Sequence, residues 1–303
     1  MSGLTVSIKE SSMWWYLIIF LPVAVVLWLL YEWYEHRSVK YSTTTVEFQQ
    51  LPANIELRLC LMSDLHNNKK DLERLVTSIR EFAPDVILLA GDLVNKHKPE
   101  NKQAEEFLSA LARLSVPVYY SEGNHELSLA ETYPECWHRY LTAIHKKAAY
   151  LQNEAVCLNG SESVYISGLS LPKEYYKKGN LYENTALLPE LSVPENAFHI
   201  MMAHNPEYAS LYDKYHADLI LSGHLHGGLL RLPFIGGVVS PRLRLPKGCD
   251  AGLVQLPKGN YMFVSRGLGS HTIPLRFFNR VEVNFLILKG IGNKNTVNQK
   301  EME

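Results

Sequence analysis

Residues Ile55–Asp92 read IELRLCLMSDLHNNKKDLERLVTSIREFAPDVILLAGD, and the order of patterns in this stretch decides the fold class. The apolar run in "IELRLCLMSD" predicts a strand. "KKDLERLVTSIREF" carries apolar residues at helical spacing, and "PDVILLAGD" predicts a second, fully buried strand. Strand, helix and strand in so short a span is a βαβ unit, which places the two strands in parallel. Each strand ends in a polar group: Asp64 and His66 after the first, Gly91 and Asp92 after the second.

Moving outward, "EEFLSALARL" is helical and "VPVYYSEGN" is a third strand. "AFHIMMAHN", "ADLILSGH", "YMFVSRG" and "VEVNFLILK" continue the β pattern, so residues 55–289 are expected to form one α/β domain. The later strands also end in chemistry: Asn124 and His125 in "GNHE", His204 in "AHNP", His224 and His226 in "GHLHGG". In open α/β sheets, ligands collect at the carboxyl ends of strands, where loops converge and backbone groups are free. A strand-end Asp alone is often a helix cap and a lone His often a solvated loop residue. Five strand ends that all carry Asp, Asn or His are not explained in that way.

The ligand types sort into two sets that share one carboxylate. Asp64, His66, Asp92 and His226 form one set; Asp92, Asn124, His204 and His224 form the other, with Asp92 as the bridge. Two cations sharing a carboxylate would lie roughly 3.5 Å apart, as in two-metal attack at phosphorus. Four imidazoles disfavour magnesium and calcium and favour two divalent transition metal ions, manganese, iron or zinc. Two dications against two carboxylates leave a net positive centre, suited to a phosphate and a metal-bound hydroxide.

Composition bounds the remaining classes. Thirty Lys and Arg balance 31 Asp and Glu in 303 residues, so no global field draws nucleic acid, and none is expected as a partner. Cys60, Cys136, Cys157 and Cys249 lack CxxC spacing and are expected to be buried thiols. No G-x-S-x-G occurs, which argues against a serine hydrolase.

The N-terminus differs in kind. "WWYLIIFLPVAVVLWLLY", Trp14–Tyr31, is uncharged and long enough to cross a bilayer as a helix, and Trp14, Trp15, Tyr31, Trp33 and Tyr34 suit an aromatic belt. Residues 1–38 are therefore expected to be an uncleaved single-pass anchor in the cell membrane, with a helix at about 14–31. Residues 39–54 are expected to be a polar linker and 290–303 a polar tail. Lys9 before the span and Arg37 and Lys40 after it do not set its orientation.

Taken in order, Asp64-x-His66, Gly91-Asp92, Gly123-Asn124-His125-Glu126, His204 and Gly223-His224-x-His226 resemble the calcineurin-like metallophosphoesterase superfamily. "HNP", "GHLHGG", "RLPFIGG", "SRGLGS" and "PLRFFNR" are most similar to its bacterial membrane-associated branch. The resemblance implies two packed mixed β-sheets flanked by helices, a dinuclear metal centre and hydrolysis of a phosphomonoester, phosphodiester or pyrophosphate bond, a lipid-linked substrate included. It also implies that His125 is the acid that protonates the leaving-group oxygen.

Departures narrow the branch. "GDLVNKH" has no arginine where the superfamily's protein phosphatases carry one to clamp phosphate. Asn95 stands where purple acid phosphatases need a tyrosine, and Leu229 where relatives often carry glutamine. The alternative to an enzyme is a non-catalytic, metal-stabilised interaction module tethered to the membrane; such a module would tolerate lost ligands, and none is missing. The segment after "GHLHGG" mixes Leu229, Leu230, Leu232, Phe234 and Ile235 with Arg231, Arg242, Arg244 and Lys247, and is expected to form either a β-hairpin or an apolar, cationic lip able to rest on a bilayer.

Overall fold

Residues 5–158, 160–177, 184–228, 230–232, 236–239, 250–269, 276 and 278–292 are described by a computed structural model of the chain. Its first part runs α1 (Thr5–Arg37), β1 (Lys40–Phe48), β2 (Glu56–Met62), α2 (Leu72–Phe82), β3 (Val86–Ala90), α3 (Lys102–Ala112), β4 (Val118–Ser121), α4 (Asn124–Thr132) and α5 (Pro134–His145). The second part is mostly β: β5 (Ala149–Tyr150), β6 (Glu154–Leu158), β7 (Ser161–Leu169), β8 (Phe198–Ala203), β9 (Leu219–Ser222), β10 (Leu230–Leu232), β11 (Gly236–Val239), β12 (Gly252–Gln255), β13 (Tyr261–Val264) and β14 (Glu282–Gly290).

These strands form two six-stranded mixed sheets, ordered β1-β14-β2-β3-β4-β5 and β12-β13-β9-β8-β7-β6, beside the small β10-β11 pair. In the first sheet β2, β3 and β4 run parallel, as the βαβ reading requires, while β14 returns antiparallel to β2. In the second, β7, β8, β9 and β13 are parallel, with β6 and β12 antiparallel at the edges.

Strand alternation sorts the core into layers, because successive side chains face opposite ways. Leu59 and Leu61, Val86 and Leu88, Ile200 and Met202, and Leu219 and Leu221 meet between the two sheets. Cys60, Met62, Ile87 and Leu89 face the other way, against Leu75 and Ile79 of α2, Phe107 of α3 and Ile144 of α5. Met201, Ala203 and Ile220 cover the outer face of the second sheet under Tyr208 and Tyr212. α2 shows how sequence sets one of these helices. Asp71 caps its start by accepting from Arg74 N at 3.1 Å, Leu75, Val76 and Ile79 are its buried stripe, and Ala83 ends it in the left-handed region at φ 51° just before Pro84.

Three expectations are corrected. Residues 39–54 are not simply a linker: β1 pairs in parallel with β14 over nine residues. The run "TTTVEF" is β-branched, and Val46 and Phe48 are buried while Thr43, Thr45 and Glu47 are exposed, so a half-buried edge strand carries a polar-looking sequence. The N-terminal helix overruns 14–31 at both ends, because nothing in the flanking polar residues breaks it. Of the cysteines, Cys60 is buried, Cys136 half-buried and Cys157 exposed on the edge strand β6; Cys249 lies outside the described residues.

α1 is long and apolar enough to cross a membrane. At 33 residues it extends roughly 50 Å. From Ile18 to Leu30 most of its large apolar side chains are exposed rather than covered by the protein, Phe20 at 70 % and Leu21 at 65 %. Its last turns differ: Glu32 and Glu35 are buried against the domain.

Candidate metal centre

Parallel strands bring their carboxyl ends to one edge of each sheet, and there the polar residues of five loops meet. His66 Nε2 and His226 Nε2 lie 3.0 Å apart, at 3.8 and 3.6 Å from Asp64 Oδ1. On the other side Asp92 Oδ2 is 3.2 Å from His204 Nε2, 3.9 Å from His66 Nε2 and 4.0 Å from His125 Nε2. Among the described residues, three groups have ligand atoms mutually within 4.8 Å: Asp64, His66 and His226; His66, Asp92 and His125; Asp92, His204 and His224. The first and third each hold three of the four residues in the corresponding set read from sequence, and Asp92 reaches toward the first through His66, 3.9 Å away. Asn124 opens α4, its side-chain Oδ1 buried without a hydrogen-bond partner, while the next residue's N–H meets Asp92 Oδ1 at 2.8 Å. The proposed lip falls mostly on residues outside the described set, Phe234, Ile235, Arg242, Arg244 and Lys247 among them.

The backbone is bent to make this convergence. Asp64, His66, Asp92, His224 and His226 all have φ between 49° and 69°, a region that non-glycine residues rarely adopt. Each such residue costs on the order of 1–3 kcal/mol, and clustering of this kind marks sites where geometry serves function. Neighbouring glycines allow the close approach: a Cβ on Gly123 would sit 2.3 Å from Asp92 Oδ1, and one on Gly223 would sit 2.3 Å from Asp64 Oδ2.

Hydrogen bonds fix which ring nitrogens face inward. His204 Nδ1 donates to Ala90 O at 2.7 Å, which turns Nε2 toward Asp92 Oδ2, 3.2 Å away. Lys96 N donates to His125 Nδ1 at 3.3 Å, so that nitrogen is an acceptor and the ring proton sits on Nε2. His66 Nδ1, 3.2 Å from the same acceptor, is then the donor, and His66 Nε2 faces Asp64 as a lone pair. Asp64 itself accepts from Ser63 Oγ at 2.5 Å and from His224 N at 3.1 Å.

Charge follows the same division. Burial pushes the Asp92 carboxyl up, but His204 first, then His125 and His66, hold it well below the usual range. Burial also raises Asp64, to about 6, where it titrates together with its neighbours. His204 is pulled down by burial yet raised to about 10 by Asp92 and Asp64. Two carboxylates, four imidazoles and an amide oxygen, with Asn124 Oδ1 buried and without a hydrogen-bond partner, fit a pair of divalent transition metals.

Sequence reasoning passed over three residues here. Glu126 is fully buried; its Oε2 accepts from Asp92 N (2.9 Å) and Gly123 N (2.8 Å), its Oε1 from Val94 N (3.2 Å) and Tyr120 Oη (2.6 Å). It ties the loop after β3 to the loop after β4. Its signal was the spacing from Gly123, helix N-cap to third helical residue, at which a Glu reaches back to the cap. Tyr176 packs edge-on against His224 at 5.5 Å. Arg276, buried, places Nη2 3.1 Å from His226 Nδ1.

A family model described as calcineurin-like phosphoesterase matches residues 57–228, more than half of the chain. An uncharacterized metallophosphoesterase of Aquifex aeolicus is 28% identical over 86% of this chain and 95% of its own length. The metallophosphoesterase YkuE of Bacillus subtilis is 28% identical over 84% of this chain and 87% of its own. A transmembrane protein with a metallophosphoesterase domain from Danio rerio is 26% identical over 80% of this chain and 56% of its own.

Proposed function

Because the chain belongs to the calcineurin-like phosphoesterase family, we propose that it hydrolyses a phosphoester or pyrophosphate bond at a dinuclear centre held by Asp64, His66, Asp92, Asn124, His204, His224 and His226. The observation that carries this reading is the position of Asp92, whose Oδ2 is within 4.0 Å of imidazole nitrogens on both sides. The two divalent ions, when bound, supply Lewis-acid polarisation of the phosphoryl group and of the attacking water. Everything else is the work of the chain. Asp92 keeps its negative charge because three imidazoles surround it. His125 holds its proton on Nε2, the nitrogen that faces the centre, and delivers it to the departing oxygen.

The substrate we propose is an amphiphilic phosphoester carried at a bilayer surface. Its support is α1, which is apolar and exposed along its middle, docks its last turns on the domain, and so keeps the centre near the membrane it would span. The interaction-module alternative loses ground because no candidate ligand is missing and His125, the candidate proton donor, is present beside them.

The test uses the full-length chain in detergent micelles or vesicles, loaded with Mn²⁺, against aryl and alkyl phosphoesters. His125→Ala should lower kcat by about 10²–10⁴ for alkyl leaving groups and far less for nitrophenolate, which leaves unprotonated. Equal losses for both would remove His125 from the chemistry. A soluble ester turned over in preference to a vesicle-borne one would refute the membrane-surface substrate.

A further inference from the structure

Outside α1, Phe278 is the most exposed large apolar side chain among the described residues, 51 % against 44 % for Leu187, the next. Its backbone is strained as well: φ is 53°, in the left-handed region that bulky residues avoid. Such strain persists only where the surrounding structure over-determines it. Here it holds an apolar ring on the outside of the domain.

The structure that imposes it is the end of α1. Phe278 N donates to Tyr31 Oη at 3.1 Å, and the two rings are 5.6 Å apart. On either side, Arg276 N donates to Glu32 Oε2 at 3.1 Å, Arg280 Nη2 donates to Ser38 Oγ at 2.5 Å, and Val281 O accepts from Lys40 N at 2.8 Å. The turn before β14 and the last turns of α1 are thus fastened into one corner. Tyr31 directly follows the exposed apolar run that ends at Leu30, and Trp33 and Tyr34 just beyond are 57 % and 46 % exposed. The Phe278 ring therefore lies level with the end of that run, among aromatic residues.

The corner also stands at the edge of the domain that carries the candidate ligands. β14 runs antiparallel to β2, so it begins at the end of β2 that leads to Asp64. Asn279, next to Phe278, donates to His226 O at 2.6 Å. Bond lengths then put the Phe278 Cα within about 10 Å of that carbonyl.

We infer that Phe278, together with Trp33 and Tyr34, is a docking surface for the headgroup region of a lipid bilayer, and that it turns the metal-centre edge of the domain toward the membrane. The inference rests on α1 as a membrane span, and it deepens the reading of the substrate as an amphiphilic ester. The partner is lipid because the patch continues the exposed apolar face of α1. Aromatic side chains at that depth keep their rings in apolar surroundings and their polar tips wet. A tether without this surface would leave the domain free to turn its strand ends away from the bilayer.

The experiment places the full-length wild-type chain in phosphatidylcholine vesicles that contain a phosphatidylcholine with a diazirine on the acyl chain close to the headgroup. After irradiation, adducts are mapped by mass spectrometry. They are expected on α1 and on Phe278, and not on Ile291, which is 41 % exposed but lies past the far end of β14, roughly 30 Å away. Phe278→Leu should keep the adduct at position 278. Phe278→Asp should reduce it about 10-fold or more, the factor that burying such a ring is worth, with α1 labelled as before. Adducts on α1 with none at Phe278, or equal labelling of Phe278 and Ile291, would overturn the inference; an unlabelled turn in a chain that is dimeric in the vesicles would assign the ring to a second copy instead. A chain without adducts on α1 would refute the membrane span, and the docking surface with it. The readout is lipid contact rather than turnover, so a chain labelled at Phe278 that hydrolyses no ester would refute the phosphoesterase reading and leave the docking surface standing.

Discussion

Glu126→Gln perturbs the centre without touching a ligand. The carboxylate accepts from three backbone N–H groups and one hydroxyl, all buried. Gln keeps the shape but turns one acceptor oxygen into an NH₂ donor. On the Oε2 side that donor would face two N–H groups, of Asp92 and Gly123. On the Oε1 side Tyr120 can rotate its hydroxyl to accept, so only Val94 N is left facing a donor. The amide nitrogen therefore takes the Oε1 side, and one buried N–H loses its partner at about 1–3 kcal/mol. In a domain of this size that lowers the melting temperature by roughly 3–9 °C. Val94 is two residues from Asp92, so the bridging carboxylate also moves and metal affinity falls by about 10-fold or more. Differential scanning fluorimetry with and without Mn²⁺, combined with metal titration, reads both effects. A Glu126→Gln variant with wild-type melting temperature and metal affinity would refute the argument, since Glu126 would then only fill space.

Two further outcomes follow from other positions. Burial lowers His199 to about 4, against the partial opposition of its bond to Tyr215 O. Its folded value lies below the unfolded one, so the unfolded chain binds the extra proton, and stability is lost as pH falls from 6.5 toward 4, by roughly 3 kcal/mol in all. His199→Gln should flatten the melting-temperature profile over that window, and a profile as steep as wild type would exclude His199 as its source. Gly223→Ala places a methyl 2.3 Å from Asp64 Oδ2 and 2.7 Å from Ser63 Oγ, so it should displace Asp64 together with His224, whose N–H bonds it, and weaken Mn²⁺ binding; wild-type metal affinity would mean that the loop yields without disturbing the centre.

The cluster of candidate ligands was legible in the sequence because metal chemistry restricts residue types, and because strand ends are the places where such residues converge. Asp64, His66, Asp92, Asn124, His204, His224 and His226 could be named from their place after apolar runs alone. Their supports could not. Glu126 and Asn279 are ordinary surface residue types whose importance comes from burial, and burial depends on contacts between segments far apart in the chain, Asn279 with His226 above all. β1 was misread for a related reason: threonines on an edge strand expose one face and look like a linker until β14 pairs with them. The antiparallel edges β6 and β12 are short and half exposed, so their sequences carry little alternation to read.

The measurement that bears most directly on the account is the Mn²⁺ content of the full-length chain after chelation, reloading and gel filtration, for wild type and Asp92→Asn, with ester turnover recorded on the same samples. A shared carboxylate predicts about two ions per wild-type chain, turnover that vanishes on chelation and returns on reloading, and joint loss of both ions and of activity in Asp92→Asn. Full metal content in Asp92→Asn, or undiminished turnover by chelated wild type, would contradict it.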